Sequence, residues 1–277
     1  MKVLVCGAAG MLGRDVVRAA ETANHEVVAL DRRALDVTDA SAVADAVERA
    51  HPHAVINCAA YTDVDGAESE RDTALRVNGE GARNVAAGAA GAGAAVVYVS
   101  SDYVFDGTKG KPYLESDLTG PRSAYGASKL AGETETAAAN PRHHIVRSSW
   151  LFGVYGPNFV ATMLRLGAER DEVVVVRDQV GAPTYTVHLA EGLVRMLDSH
   201  VYGIHHMAAY GACSWYDFAV AIFARAGVSC RVLSTTTAEL ARPAPRPAYS
   251  VLGSESRDAI QLPVWSEGLD AYLTEVA

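Results

Sequence analysis

Tyr125 and Lys129 stand four positions apart in the stretch SAYGASKLAGE, Ser123 to Glu133. At that spacing both side chains project from one face of a helix, about one turn apart. If that face meets a reacting ligand, the ammonium lowers the phenol pKa from its reference near ~10 toward the working pH, and Tyr125 becomes a proton donor to a carbonyl. The small neighbours Ala124, Gly126, Ala127, Ser128 and Ala131 then leave room for the ligand and for a neighbouring helix. The plainer reading is an amphipathic helix with an incidental Tyr/Lys pair. Upstream, VVYVSSDYVFDG (96–107) ends a strand on Ser100 and Ser101. Open α/β sheets bind ligands at the carboxyl ends of their strands, so a hydroxyl there can hold a substrate oxygen while Tyr125 protonates it. Ser101, Tyr125 and Lys129 form the candidate catalytic group.

A second chemical signal lies at the start of the chain. GAAGMLG, Gly7 to Gly13, follows one apolar run directly and leads into the helix-compatible RDVVRAAE. Gly7, Gly10 and Gly13 suit a tight turn, close approach of backbone to a pyrophosphate, and close packing of helix on strand. Ala9, Met11 and Leu12 complete the turn as candidate dinucleotide contacts. The spacing is G-x-x-G-x-x-G rather than G-x-G-x-x-G, and the strand–turn–helix setting is the right one. The next apolar run, EVVALD, ends in Asp31, whose carboxylate suits the adenosine ribose of NAD, but Arg32 and Arg33 follow at once and suit a 2′-phosphate. NADH and NADPH both stay open, as does the reading of the two arginines as solvated loop charges.

These groups need a scaffold that gathers strand ends. KVLVCG, EVVALD, AVINCAA, AVVYVSS and HHIVRSS are short β-branched runs separated by Ala-rich, helix-compatible segments. That alternation predicts an α/β fold, a Rossmann-like doubly wound parallel sheet, and the nearly continuous apolar runs fit strands covered on both faces. AAGAAGAGAA (86–95) reads as a small-residue helix end followed by a Gly turn. Residues 1–150 are expected to form the dinucleotide-binding domain, its sheet completed by parts of 170–235. Residues 151–277 are expected to form mainly a smaller, interleaved substrate-binding lobe. There VVVV (173–176), GIHHMA (203–208) and CRVL (230–233) are strand candidates and SWYDFAVAIFARAG is a helix. ARPAPRPAYS (241–250) can be neither a regular helix nor a central strand.

The 277 residues are 49% hydrophobic and 21% charged, close to ordinary globular usage. A net charge of -9 offers no electrostatic footprint for nucleic acid, so a small-molecule substrate is expected. The opening MKVLVCG is too short an apolar run for a signal peptide, and no stretch approaches the roughly 20 apolar residues of a membrane span, which points to a cytoplasmic protein. Cys6, Cys58, Cys213 and Cys230 lack paired spacing and read as reduced packing residues. The adjacent pairs His143-His144 and His205-His206 would point to opposite strand faces and do not read as metal ligands.

Together the glycine turn, the strand-end serine and Y-x-x-x-K resemble the extended short-chain dehydrogenase/reductase superfamily. Within it the chain is similar to the dTDP-4-dehydrorhamnose reductase family from end to end, through AAYTDVDGAE (59–68), VNGEGARNVA (77–86), SSDYVFDG (100–107), YGASKLAGE (125–133), RSSWLFG (147–153), RDQVGAPTYT (177–186) and RPAYSVL (246–252). The resemblance implies an NADPH- or NADH-dependent reduction of the C4 ketone of dTDP-4-dehydro-6-deoxy-L-mannose to dTDP-L-rhamnose. It adds Asp36, Val37, Ala59, Ala60, Tyr61 and Asn78 to the cofactor site. It implies that Asp102 and Tyr103 shape the sugar site, that Trp150 stacks near the sugar, and that Arg246 reaches the nucleotide-sugar phosphates. Ser101 takes a position where the family commonly has threonine, which keeps the hydroxyl. Some members bind Mg2+ at a dimer contact through acidic residues, for which Asp15 and Glu191 are candidate counterparts; no metal site is assigned, and a homodimer stays open. Another dTDP-deoxysugar 4-ketoreductase, a nucleotide-sugar epimerase, and a non-catalytic cofactor-binding regulatory subunit of the same subfamily remain as alternatives.

Overall fold

The computed structural model describes residues 1–277. The five apolar runs of the first half form β1 (Lys2–Cys6), β2 (Glu26–Leu30), β3 (Ala54–Asn57), β4 (Ala95–Ser101) and β5 (His143–Ser148). All lie parallel in one six-stranded sheet, in the order β2, β1, β3, β4, β5 and the strand Gly203–His206. The sheet is the doubly wound one expected. Its strand order reverses between β1 and β3, which opens a crevice at their carboxyl ends where the turn Gly7–Gly13 lies.

Period-two alternation explains why β1 is apolar from Val3 to Cys6 without a break. Val3 and Val5 of β1 face a cluster with Val16 of the helix α1 (Met11–Thr22) and with Leu189 and Leu193 of the helix Thr186–Met196. Leu4 and Cys6 face the opposite cluster, which holds Val43 and Val47 of α2 (Ala40–Ala50) and Val85 and Ala89 of the helix Gly81–Gly91. Both sheet faces are covered, so no polar face is needed.

The second half separates into two uses. Of the segments in 170–235 expected to complete the sheet, Gly203–His206 does so, pairing with β5 in the register His205↔Val146. The four-valine run forms Glu172–Val176 and pairs instead with Arg231–Thr235, in a two-stranded parallel sheet apart from the central one. The helices Phe159–Glu169, Trp215–Ala226 and Trp265–Val276 pack around a third cluster containing Phe152, Phe218, Ile222 and Leu269. Ser214 starts Trp215–Ala226 with a reciprocal capping box to Asp217, and Gly227 ends it in the left-handed conformation. The proline-rich 241–250 is irregular apart from the short helix Thr237–Leu240 before it and an isolated bridge from Tyr249 to Val180. All four cysteines are free. His144 and His205 meet across neighbouring strands at 3.2 Å, so one member of each adjacent pair does share a face; burial pulls His144 down to about 4.

Candidate active site

β4 delivers Ser101 at its carboxyl end, and a short turn Asp102–Val104 follows. The chain then loops to Ser123, whose Oγ accepts the Gly126 N–H at 3.1 Å and caps the helix Ala124–Ala139. Tyr125, Lys129 and Glu133 form one stripe of this helix at successive spacings of four, and the sheet side receives it: Lys129 Nζ donates to the Val99 carbonyl at 2.6 Å, and Glu133 meets Ser100 and Arg147.

The small residues of the helix serve close contacts within the protein, as the expected close approach of a neighbouring segment requires. A Cβ on Gly126 would lie 2.2 Å from the Tyr103 carbonyl oxygen, and one on Gly132 would lie 2.1 Å from that of Asn78. The helix is seated against the Asp102–Val104 turn on one side and against the Arg76–Glu80 segment on the other, closely enough to exclude a side chain at either point.

Ser101, Tyr125 and Lys129 line one cleft of ≈ 910 Å³ together with Gly10, Met11, Leu12 and Gly13 of the first turn. Burial pushes the Tyr125 phenol up to about 12, with the neighbouring Ser101 side chain acting the other way. The expectation that Lys129 lowers that phenol in the free protein is therefore not met. Its ammonium is turned under β4, bonded to Val99 and 4.4 Å from the Tyr98 ring centroid, and burial pulls it down to about 8. Asp102 borders the same cleft at 1% exposure; burial pushes its carboxyl up to about 6 against the Ser101 hydroxyl, which donates to Oδ1 at 3.0 Å.

The glycine turn fits a dinucleotide diphosphate. Gly7 has φ +73°, and a Cβ there would lie 2.7 Å from the Ala59 nitrogen; a Cβ on Gly13 would lie 2.2 Å from the Gly7 oxygen. Gly10 caps α1 without any side-chain hydrogen bond, and the first turn carries no acidic residue. The unclaimed N–H groups of α1 therefore face the cleft as a ready anion site. Ala9 and Ala60 also line it.

The remaining cofactor candidates lie off this cleft. Asp31 spends its Oδ1 on the Arg33 and Ala34 N–H groups, both at 2.9 Å, while Arg32 and Arg33 are exposed beyond the end of β2. Asp36 accepts the Thr38 N–H and hydroxyl, which hold its carboxyl below the usual range. Val37 is buried against Gly81. Asn78, fully buried, exchanges hydrogen bonds with the Tyr61 backbone at 2.8 and 3.0 Å and donates to Ser128 Oγ at 2.9 Å. It ties the loop after β3 to the helix Ala124–Ala139 and has no side-chain donor left for a ligand.

Of the residues that the resemblance places near the sugar or its phosphates, Tyr103 and Trp150 line the cleft, and Arg246 does not. Arg246 instead makes a two-pronged pair with Asp65, Nη1 to Oδ1 at 2.9 Å and Nη2 to Oδ2 at 3.0 Å. Trp150 adopts φ +48° and stacks on Trp215, centroids 3.6 Å apart and planes at 5°. Trp215, Arg14 and Tyr155 line the cleft without having been singled out in the sequence; the Arg14 guanidinium lies 5.1 Å from the Tyr155 ring centroid. A tryptophan opening a capped helix after a strand was the available signal for Trp215. Asp15 is buried and occupied by the Thr186 hydroxyl at 2.6 Å and by Arg18 at 3.2 Å, while Glu191 is exposed on the helix Thr186–Met196. No helix is long and apolar enough to cross a membrane.

The chain matches the family described as the RmlD substrate binding domain over residues 1–277. It is 42% identical over 276 residues to a spore coat polysaccharide biosynthesis protein of Bacillus subtilis, covering 99% of this chain and 97% of that protein. It is 46% identical over 256 residues to a dTDP-4-dehydrorhamnose reductase of Streptomyces griseus, covering 90% of this chain and 84% of that one. Among solved structures, a dTDP-4-dehydrorhamnose reductase from Bacillus anthracis in complex with NADP superposes with a TM-score of 0.96 at 41% identity, covering 99% of each chain.

Proposed function

The chain belongs to the RmlD substrate binding domain family, and from that premise we propose that it reduces the C4 ketone of dTDP-4-dehydro-6-deoxy-L-mannose to dTDP-L-rhamnose at the expense of NADPH or NADH. The observation that carries the reading is the convergence of Ser101, Tyr125 and Lys129 on the cleft that also contains the glycine turn. The turn residues Gly7, Gly10 and Gly13 would hold the diphosphate of the cofactor at the amino end of α1. When bound, the reduced nicotinamide supplies the hydride for C4.

The chain's own groups do the rest. Ser101 Oγ, at the strand end, would turn its proton from Asp102 Oδ1 to the ketone oxygen and hold that oxygen by donating to it. Tyr125 gives its phenolic proton to that oxygen as charge develops there, and the buried site keeps the phenol protonated until then. Lys129 stabilises the phenolate left behind. Tyr103, Trp150 and Trp215 offer flat apolar surface to a deoxysugar whose C6 carries a methyl group. Residues 1–150 then act mainly in dinucleotide binding and 151–277 mainly in substrate binding, with Gly203–His206 contributed back to the sheet.

The test is product identification by NMR after incubation with the dTDP-4-keto-6-deoxy-L-sugar and each reduced cofactor. Stoichiometric cofactor oxidation with formation of the L-rhamno product is expected. Turnover without net cofactor consumption would indicate an epimerase, and a different C4 configuration another 4-ketoreductase. Cofactor binding without turnover would indicate a regulatory subunit.

A further inference from the structure

Behind Lys129, and outside the group that meets substrate, lies a buried cluster of charges. Glu133 continues the Tyr125–Lys129 stripe by one more turn and is 4% exposed; Arg147 of β5 is 2% exposed. Arg147 donates from Nε to Oε1 at 2.8 Å and from Nη2 to Oε2 at 2.6 Å, and Ser100 Oγ donates to Oε1 at 2.5 Å. Arg147 is itself fixed, 5.0 Å from the Phe105 ring centroid and with Nη1 3.5 Å from His206 Nε2. Three donors from two strands thus hold one carboxylate in one orientation.

A buried pair of this kind is weak as a source of stability, because desolvation of the two ions offsets most of their attraction. Its position suggests another use. The Lys129 ammonium has three protons to place and a single protein acceptor, the Val99 carbonyl, besides the Tyr98 ring face. On its own helix Tyr125 and Glu133 lie one turn to either side on the same stripe, Tyr98 of β4 lies under it, and Cys58 at the end of β3 acts on it across the cleft. Glu133 is the one carboxylate among them.

We infer that Glu133 is a positioning residue of the reaction, clamped by Ser100 and Arg147 so that it supplies the anion against which Lys129 holds its charge. The inference rests on the reading that Lys129 serves Tyr125 in carbonyl reduction. Burial opposes the ammonium, and Glu133 is the leading influence that supports it. A lysine favoured by an anion keeps its proton to higher pH, so the charge is present on the acid side and is lost as pH rises through the folded value near 8.

The experiment is the pH profile of kcat with both substrates saturating, for the unmodified enzyme, Glu133→Gln and Arg147→Gln. In Glu133→Gln the alkaline limb should fall by about one pH unit, roughly a tenfold loss on that side, with turnover recovering toward the unmodified level at about pH 6. In Arg147→Gln, which removes the opposing cation and leaves the anion, the limb should move to higher pH. A merely structural role would lower both variants equally at every pH, and that outcome overturns the inference. If Glu133→Gln does not accumulate as folded protein, Arg147→Gln decides alone: a limb that stays or falls refutes the proposal. An alkaline limb below about pH 7 in the unmodified enzyme refutes it as well. Absence of any turnover in the unmodified enzyme would instead defeat the reductase reading.

Discussion

Arg246 and Asp65 form a two-pronged ion pair across 181 residues of sequence, with side chains 12% and 21% exposed. The pair draws the irregular proline-rich segment onto the loop that follows β3, and Ala244 N–H and Arg242 Nε bind the same carboxylate at 3.1 and 3.0 Å. The hydrogen bond from Arg246 holds the Asp65 carboxyl down to about 2. If Arg246 acts by holding this loop, Arg246→Ala and Asp65→Ala should behave alike: each loses about 1–2 kcal/mol of stability and raises KM for the nucleotide-sugar, with KM for the cofactor little changed. A direct phosphate contact would make Asp65→Ala much the milder of the two. A depressed carboxyl stabilises above its unfolded pKa of ~3.9 and loses that contribution as pH falls toward the folded value. Acid melts should therefore show unmodified protein losing its advantage over Asp65→Asn between about pH 4 and pH 2.

The contrast between Arg246 and Tyr125 shows where sequence reading stops. β1 to β5 were legible because strands covered on both faces read as nearly continuous apolar runs, and Tyr125 and Lys129 because helical spacing is a local property. The Arg246–Asp65 pair, the Glu172–Val176 pairing with Arg231–Thr235, and the stack of Trp215 on Trp150 join segments far apart in the chain, and no local period encodes them. Glu133 lay in the quoted catalytic stretch on the right stripe, but its partner Arg147 was readable only once β4 and β5 were known to be neighbours.

Tyr125→Phe removes the proton donor while leaving the ring against Tyr103, whose centroid lies 5.6 Å away. Turnover should fall by ~10²–10⁴-fold with cofactor affinity nearly unchanged, as read by steady-state kinetics and a fluorescence titration. A loss smaller than about tenfold would assign the proton to another group.

The end of β2 offers a test of cofactor choice. Asp31 disfavours a 2′-phosphate by its charge, and the exposed Arg32 and Arg33 favour one, so NADH and NADPH should both support the reaction within roughly a thousandfold of each other. Arg32→Ala and Arg33→Ala should raise KM for NADPH and leave that for NADH unaltered. Equal effects of both changes on the two cofactors would move these arginines out of the site.

Trp150 is held from two sides, and that arrangement makes a small residue at a distance a test of sugar binding. Its indole rests flat on Trp215, while a Cβ placed on Gly181 would lie 2.4 Å from its ring. A bulky residue at φ +48° is strained and persists only where its surroundings determine it. Gly181→Ala should therefore push the indole off its partner, because the backbone of the Val180–Gly181 strand, paired to Cys213–Ser214, cannot yield as readily as a side chain. KM for the nucleotide-sugar should rise with little change in KM for the cofactor, and near-ultraviolet dichroism should lose the signature of the stacked pair. Trp215→Ala should give the same kinetic pattern while removing about 0.5–1.5 kcal/mol of stacking. The assignment of this pair to the sugar site fails if Gly181→Ala unstacks the rings, as seen by dichroism, yet KM for the nucleotide-sugar stays unchanged.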